Sequence, residues 1–345
     1  AKAERFIFLE YFILAEGKLW DELEKILCAK AREGVEVKII FDDFGNIKRF
    51  SGETIDRLRE VGVEVFIFNP VHEYVNRLHF NYRDHRKIAC IDGDVAYTGG
   101  VNIADEYANL IERFGYWKDS GVCLEGEGAW GLTASFIRMC VNLGGVMHNE
   151  HDYYRPHTPV KSEGFCQPFT DGPQNNPDNP AEDVFLQMIS GARRFLYITT
   201  PYFIPDESLM RALCIAGDGG VDVRLMLPGK PDHWYADCVA ESYFGELIKH
   251  GVKVYRYTPG FLHGKSIMVD REAAFVGSAN MDYRSFELDY ECGVMVYSAP
   301  MIESLLEDMD MIVEHSRLVT KEEWAKRSVL RRVFEPLLRL FAIWM

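Results

Sequence analysis

The stretch His85-Arg86-Lys87-Ile88-Ala89-Cys90-Ile91-Asp92, with Gly99 and Asn102 beyond it, returns as His263-Gly264-Lys265-Ser266-Ile267-Met268-Val269-Asp270, with Gly277 and Asn280 beyond that. Each matched position stands 178 residues from its counterpart. A lone H-x-K-x-x-x-x-D arises by chance in roughly one chain in fifty of this length. Two copies that also share the following G-x-x-N therefore indicate two similar halves, each supplying a histidine, a lysine and an asparagine to a common task.

The repeat extends outward from the motifs. RFIFLEYFI from Arg5 reads as an apolar strand, Lys18 to Glu33 as a helix closed by Gly34, and VEVKIIF as a buried strand. RFLYITTPYFI from Arg194, a helix near Asp206 to Ala216 and VDVRLML from Val221 follow the same order. A helix and a strand then recur in both copies: Ile55 to Val61 with VEVFIF, and Tyr235 to His250 with VKVYRY. This alternation predicts an α/β fold of two similar α/β/α half-domains with mostly parallel sheets, packed about a pseudo-twofold axis. The Pro-, Asn-, Gly- and Asp-rich stretch from His148 to Pro180 is the natural link, and the boundary is placed to give halves 1–160 and 161–345.

Composition narrows the function. The 345 residues are 48% hydrophobic and 26% charged, enough for well-buried cores, and the formal net charge of −15 argues against a protein that coats nucleic acid. The eight cysteines are scattered without C-x-x-C, as expected of small apolar residues in a reducing compartment. No run of eighteen uncharged apolar residues occurs, and the chain begins at Ala1, so an anchor is expected in a preceding segment. Near the C-terminus, Lys326, Arg327, Arg331, Arg332 and Arg339 interleave with apolar residues and Trp344. Two readings stand for this basic amphipathic segment: it lies on a membrane surface, or it packs on the core.

Paired histidines with lysines and asparagines suit an anionic tetrahedral centre. One neutral imidazole attacks phosphorus to form a phosphohistidine, while the other, protonated, gives its proton to the departing alkoxide; the roles then reverse. Lys87, Lys265, Asn102 and Asn280, with Ser278 beside them, would bind the phosphate oxygens. His85, His263, Asp119 and Glu291 are also metal-ligand types, but two adjacent ammonium groups oppose a cation, and neither metal nor cofactor is expected. The histidines at 72, 79, 148, 151, 157, 233, 250 and 315 have no partner in the repeat and default to structural or surface roles. Tyr202, Phe203 and Pro205 read as core packing, with a substrate-facing rim as the alternative.

The duplicated H-x-K-x-x-x-x-D with G-G/S-x-N resembles the phospholipase D superfamily over nearly the whole chain. NYRDHRKIACIDGDVAYTGGVNIADEY from Asn81, YWKD from Tyr116, FLHGKSIMVD from Phe261 and GSANMDYRSFELDYE from Gly277 are similar to bacterial cardiolipin synthases. That resemblance implies phosphatidyl transfer between two phosphatidylglycerol molecules, giving cardiolipin and glycerol without a metal. A hydrolase or another phosphatidyltransferase of the superfamily remains the alternative. It further implies His85 as nucleophile and His263 as acid then base, with Glu291 orienting His85 and Asp119 orienting His263. Asp92 and Asp270 complete the catalytic motif, as braces more than as substrate contacts. Asp289 departs from the asparagine common in these synthases. The implied partners are a phospholipid and a membrane surface, with no nucleic acid. The implied location is a bacterial cell membrane with the catalytic domain facing the cytoplasm, and oligomeric state is left open.

Overall fold

The computed structural model describes residues 1–71, 80–149, 152–161, 164–175, 178–326 and 338–339. His72, His79, His151 and nearly all of the C-terminal basic segment lie outside the described residues. In chain order the first half contains β1 (Phe6–Tyr11), α1 (Lys18–Arg32), β2 (Glu36–Asp42), α2 (Asp43–Asn46), α3 (Gly52–Glu60) and β3 (Glu64–Phe68). Then come β4 (Arg83–Asp84), β5 (Lys87–Ile91), β6 (Val95–Gly99), β7 (Tyr116–Lys118), β8 (Gly121–Glu125) and α4 (Trp130–Asn142). The second half contains β9 (Phe165–Asp171), α5 (Pro180–Gly191), β10 (Phe195–Thr199), β11 (Phe203–Ile204), α6 (Glu207–Asp218), β12 (Asp222–Pro228), α7 (Trp234–Lys249) and β13 (Lys253–Tyr257). It continues with β14 (Gly260–Leu262), β15 (Ser266–Val269), β16 (Ala273–Gly277), β17 (Met281–Asp282), α8 (Tyr283–Glu287), β18 (Asp289–Tyr297) and α9 (Met301–Glu314).

The first sheet has the order β3-β2-β1-β5-β6-β8, and β13-β12-β10-β15-β16-β18 repeats it in the second. Two similar α/β halves are therefore present. The expectation of mostly parallel sheets holds only for one side of each sheet: β1, β2 and β3 run parallel, as do β10, β12 and β13. The motif strands β5 and β15 add antiparallel, and so do β6, β8, β16 and β18. The reason is local. Asp92 and Gly93 both have positive φ (55° and 71°), as do Asp270 and Arg271 (53° and 61°), which closes each motif as a tight hairpin instead of a crossover.

Apolar faces fix the layers. Phe41, Ile39, Val37 and Ile7 pack with Trp20, Leu27 and Leu58 on the outer side of the first sheet, under α1 and α3. Val223, Leu225, Ile198 and Ile267 do the same under α5, α6 and α7 in the second half. The inner faces share a core in which Phe8, Ile88 and Ala96 meet Met268, Val276 and Val294, closed by Phe136 of α4 and Leu306 of α9. β9, which follows the linker, pairs antiparallel with β18. At the far end of the chain, Arg339 packs on α7: its guanidinium lies 3.8 Å from the Tyr243 ring centroid and its Nε donates to Ser242 Oγ at 2.6 Å.

The motif aspartates hold this frame. The Asp92 carboxylate accepts the backbone N–H groups of Glu4, Arg5 and Phe6 at 2.9, 2.7 and 2.9 Å. Asp270 accepts those of Arg193, Arg194 and Phe195 at 2.7, 2.8 and 2.8 Å. Each ties its hairpin to the start of the adjacent strand. Neither lines the cavity that both motif histidines line, so their place in the motif is structural and the catalytic label does not fit where they sit. Burial works against a charged Asp270, yet the N–H groups of Phe195, Arg193 and Arg194 outweigh it and hold its carboxyl below the ordinary range. Its stabilisation is full above the unfolded carboxylate pKa, about 4, and is lost as pH falls through the lower folded value. Asp270→Ala is expected to cost about 2 kcal/mol, read as a lower urea midpoint at pH 7, with the penalty shrinking in acid.

Candidate active site

Each histidine is delivered by a strand of one half lying against a strand of the other. β4 pairs parallel with β18 and leads directly into His85, whose N–H donates to the Tyr290 carbonyl at 2.9 Å. β14 pairs parallel with β7 and leads into His263, whose N–H donates to the Lys118 carbonyl at 2.7 Å. Tyr290 and Lys118 are the residues immediately before Glu291 and Asp119. The ladders thus bring each ring to the opposite half's acid: His85 Nδ1 lies 2.8 Å from Glu291 Oε1, and His263 Nδ1 lies 2.7 Å from Asp119 Oδ2. With Nδ1 given to the carboxylate, Nε2 is the nitrogen left for a substrate. Both rings line one cavity of about 830 Å³.

The settings of the two rings differ. Phe12 meets His85 edge-on at 5.1 Å, whereas Tyr107 and Trp117 each lie 5.3 Å from His263. Burial, Lys87 and Lys265 push His85 well below the usual histidine range. Burial and Lys265, partly opposed by Asp119, lower His263 to about 4. Burial pushes Glu291 up to about 7 despite Lys87 and the Ser278 hydroxyl. Asp119 is buried too, but His263 and Lys265 hold it below the ordinary carboxylate range.

The lysines sit beneath the rings. Lys87 donates to the His85 carbonyl, and Lys265 to the His263 carbonyl at 2.5 Å. Burial lowers them to about 8 and about 7 respectively. Both are almost wholly covered, and the cavity wall does not include them. They act on that space through charge in this structure, although contact with phosphate oxygens was expected.

The remaining sequence candidates divide. Asn102 and Asn280 both line the cavity. Asn102 is committed: its Oδ1 accepts from Ile13 N at 3.0 Å and its Nδ2 donates to Tyr107 OH at 2.9 Å. Asn280 has its Oδ1 without a hydrogen bond. Ser278 corrects the expectation of a phosphate ligand. It is fully buried, donates its hydroxyl to Glu291 and accepts from Cys292 N at 3.0 Å, so it fixes the acid and does not face substrate. Sequence reasoning placed no ion pair at Asp289, which lines the cavity with its Oδ1 3.2 Å from Arg284. The signal was its alternation with Glu291, since residues two apart on a strand share a face. Tyr202 also lines the cavity, while Phe203 is core.

The metal-type set named from sequence is split between the two ring pairs. Among the described residues, His85, Asp289 and Glu291 are the group that brings ligand-type atoms within 4.8 Å of one another. Lys87 and Arg284 crowd the same spot electrostatically, which disfavours a cation there.

Two halves of this topology, each giving a lysine-backed histidine to one cavity, define a protein of the phospholipase D class. The profile of the family described as "Cardiolipin synthase, PLD-like domain" matches residues 1–112 and 185–313, and the chain belongs to that family. It is 38% identical over 342 residues to a cardiolipin synthase of Halalkalibacterium halodurans, covering 99% of this chain and 67% of that protein. It is 36% identical to a cardiolipin synthase of Geobacillus kaustophilus, covering 99% and 68%, and 38% identical to an uncharacterized protein of Streptococcus mutans, covering 99% and 74%. The fold matches the crystal structure of a phosphatidylserine synthase from Haemophilus influenzae with a TM-score of 0.71 at 16% identity, covering 99% of this chain and 88% of that one.

Both rings are expected to be neutral at pH 7. Imidazole 15N NMR shifts of the free protein should show neither ring gaining a second proton between about pH 6 and 8, with His263 in the Nδ1–H tautomer. Lys265→Met removes a cation that depresses His263 and should move its midpoint upward.

Proposed function

We propose that this chain is a phosphatidyltransferase that makes cardiolipin and glycerol from two phosphatidylglycerol molecules through a phosphohistidine. The observation that carries the reading is the pair of carboxylate-held, lysine-backed histidines facing one cavity. The names of the family and of its cardiolipin synthase relatives support the product.

In the first step His85 Nε2 forms a bond to phosphorus as the bond from phosphorus to the glycerol oxygen breaks, and His263 gives that oxygen a proton. In the second, His263 takes the proton of a hydroxyl on the acceptor phosphatidylglycerol. That oxygen bonds to phosphorus and His85 leaves. The environments favour this division of labour. Burial, Lys87 and Lys265 push His85 well below the usual histidine range, and Glu291 Oε1 at its Nδ1 leaves Nε2 as the bare nitrogen, which keeps a nucleophile unprotonated. His263 faces an ionised Asp119, which stabilises an imidazolium. An anionic diester entering the cavity offsets the lysine charge that holds His263 neutral in the free protein, readying it as the acid. Lys87, Lys265 and the Asn280 amide oppose the charge that develops on the phosphate oxygens.

Among the described residues no helix is long and apolar enough to cross a membrane. We assign the protein to lipid metabolism at a bacterial membrane surface, since its proposed substrate resides there.

Phosphatidylglycerol in mixed micelles with EDTA present should yield cardiolipin and glycerol. Phosphatidic acid as the sole product would overturn the transferase in favour of a hydrolase. His85→Ala and His263→Ala should each lose about a thousandfold or more of the rate. With a phosphatidyl ester of p-nitrophenol, whose departure needs no proton, His263→Ala should still accumulate labelled phosphoenzyme, whereas His85→Ala should form none. The opposite pattern would make His263 the nucleophile.

A further inference from the structure

Residues of both halves line the cavity holding the two histidines, and several large apolar side chains on or beside that lining are exposed. Phe44 and Ile47 line the cavity and are nevertheless 48% and 47% exposed. Phe80, also exposed, meets Phe44 edge-on with ring centroids 6.3 Å apart. From the second half, Trp234 at the start of α7 is 66% exposed, between His233 and Tyr235, which both line the cavity. Leu110 and Ile111 are exposed just ahead of Arg113 and Phe114, two more lining residues. Large apolar side chains left in water beside a site mark an interaction surface.

We infer that these residues form a docking rim for a lipid surface, seated so that a phospholipid passes from the bilayer into the cavity. The inference rests on the phosphatidyl-transfer reading above and adds the surface by which substrate is reached. Continuity with the site argues for the occupant. Phe44 and Ile47 line the same cavity as Phe12 and Ile13, and Phe12 meets His85 edge-on. Apolar side chains thus line the same cavity as the nucleophile, which is what acyl chains drawn along with a headgroup require. A protein seated on the same residues would close the cavity that holds both histidines, whereas a bilayer would feed it. Trp234 has the amphipathic ring that settles at the headgroup boundary.

The test uses the whole chain and a triple variant, Leu110→Ser, Ile111→Ser and Trp234→Ser, whose side chains lie outside the cavity wall. Co-sedimentation with phosphatidylcholine vesicles doped with phosphatidylglycerol is read beside turnover on those vesicles. Turnover of dibutyroyl phosphatidylglycerol, dispersed as monomer, is measured in parallel. Vesicle affinity and vesicle turnover should both fall about tenfold or more in the variant, with turnover of the dispersed ester unchanged. Equal sedimentation of the two proteins, failure of the unaltered protein to sediment, or an equal loss on the dispersed ester would overturn the docking rim. If the unaltered protein turns over neither substrate, the phosphatidyl-transfer reading fails instead, and sedimentation alone still decides the rim.

Discussion

Two short parallel ladders between the halves set everything at the active site. β4 on β18 and β14 on β7 are only two and three residue pairs long, yet each ends at a histidine on one strand and a carboxylate on the other. The backbone bond from each histidine N–H to the residue before the acid fixes the register, so the side chains have no freedom to pair otherwise. A one-residue slip would turn the acid to the opposite face of its strand. Neither half can therefore complete its own site, because the orienting group is always borrowed. The extensive inner core shared by the two sheets keeps these small ladders in place.

Burying this many charges demands mutual compensation. Lys87 and Lys265 are nearly inaccessible, as are Asp119, Glu291 and Asp289. An uncompensated charge at such depth costs several kcal/mol. Here the cations lie beneath the imidazoles and the anions beside them, so each buried charge has an opposite one close by. The lysines lower the histidines, and the acids in turn moderate the depression of the lysines. Water would screen that arrangement; burial preserves it, which lets a weak base such as imidazole remain an unprotonated nucleophile.

Much of this was legible in the residues because duplication writes the same constraint twice. The 178-residue offset isolates histidine, lysine and asparagine from a background of unrelated sequence. The parallel βαβ strands were readable from alternating helices and apolar runs. The hairpins were not: Asp92-Gly93 is a turn signal, but Asp270-Arg271 lacks the glycine and adopts the same backbone through its anchored carboxylate. Ser278 misled for a similar reason. Its position beside Asn280 suggests substrate, while its contact with Glu291 depends on β16 and β18 lying side by side. Asn102 looked equivalent to Asn280 until the Ile13 backbone and Tyr107 claimed its amide. Spacing along the chain locates such groups but does not say which neighbour satisfies them.

The places where the halves differ are as informative as the repeat. Gly100 and Ser278 occupy matching positions, and their acids differ in length to suit. A Cβ at Gly100 would stand 2.2 Å from Asp119 Oδ1, so the shorter acid fits only against glycine. The longer Glu291 reaches past a serine and takes its hydroxyl. Two residues before each acid stand Trp117 and Asp289, both on the cavity wall. His263 thus works against an aromatic face beside an ionised carboxylate, and His85 beside two carboxyls that share a patch with Arg284. Two identical half-sites would give two histidines of equal proton affinity, and neither would be preferred as base or nucleophile. The transfer needs one ring ready to be protonated and one kept bare. Divergence at these few positions separates the rings while the common ladders keep both aimed at the same space.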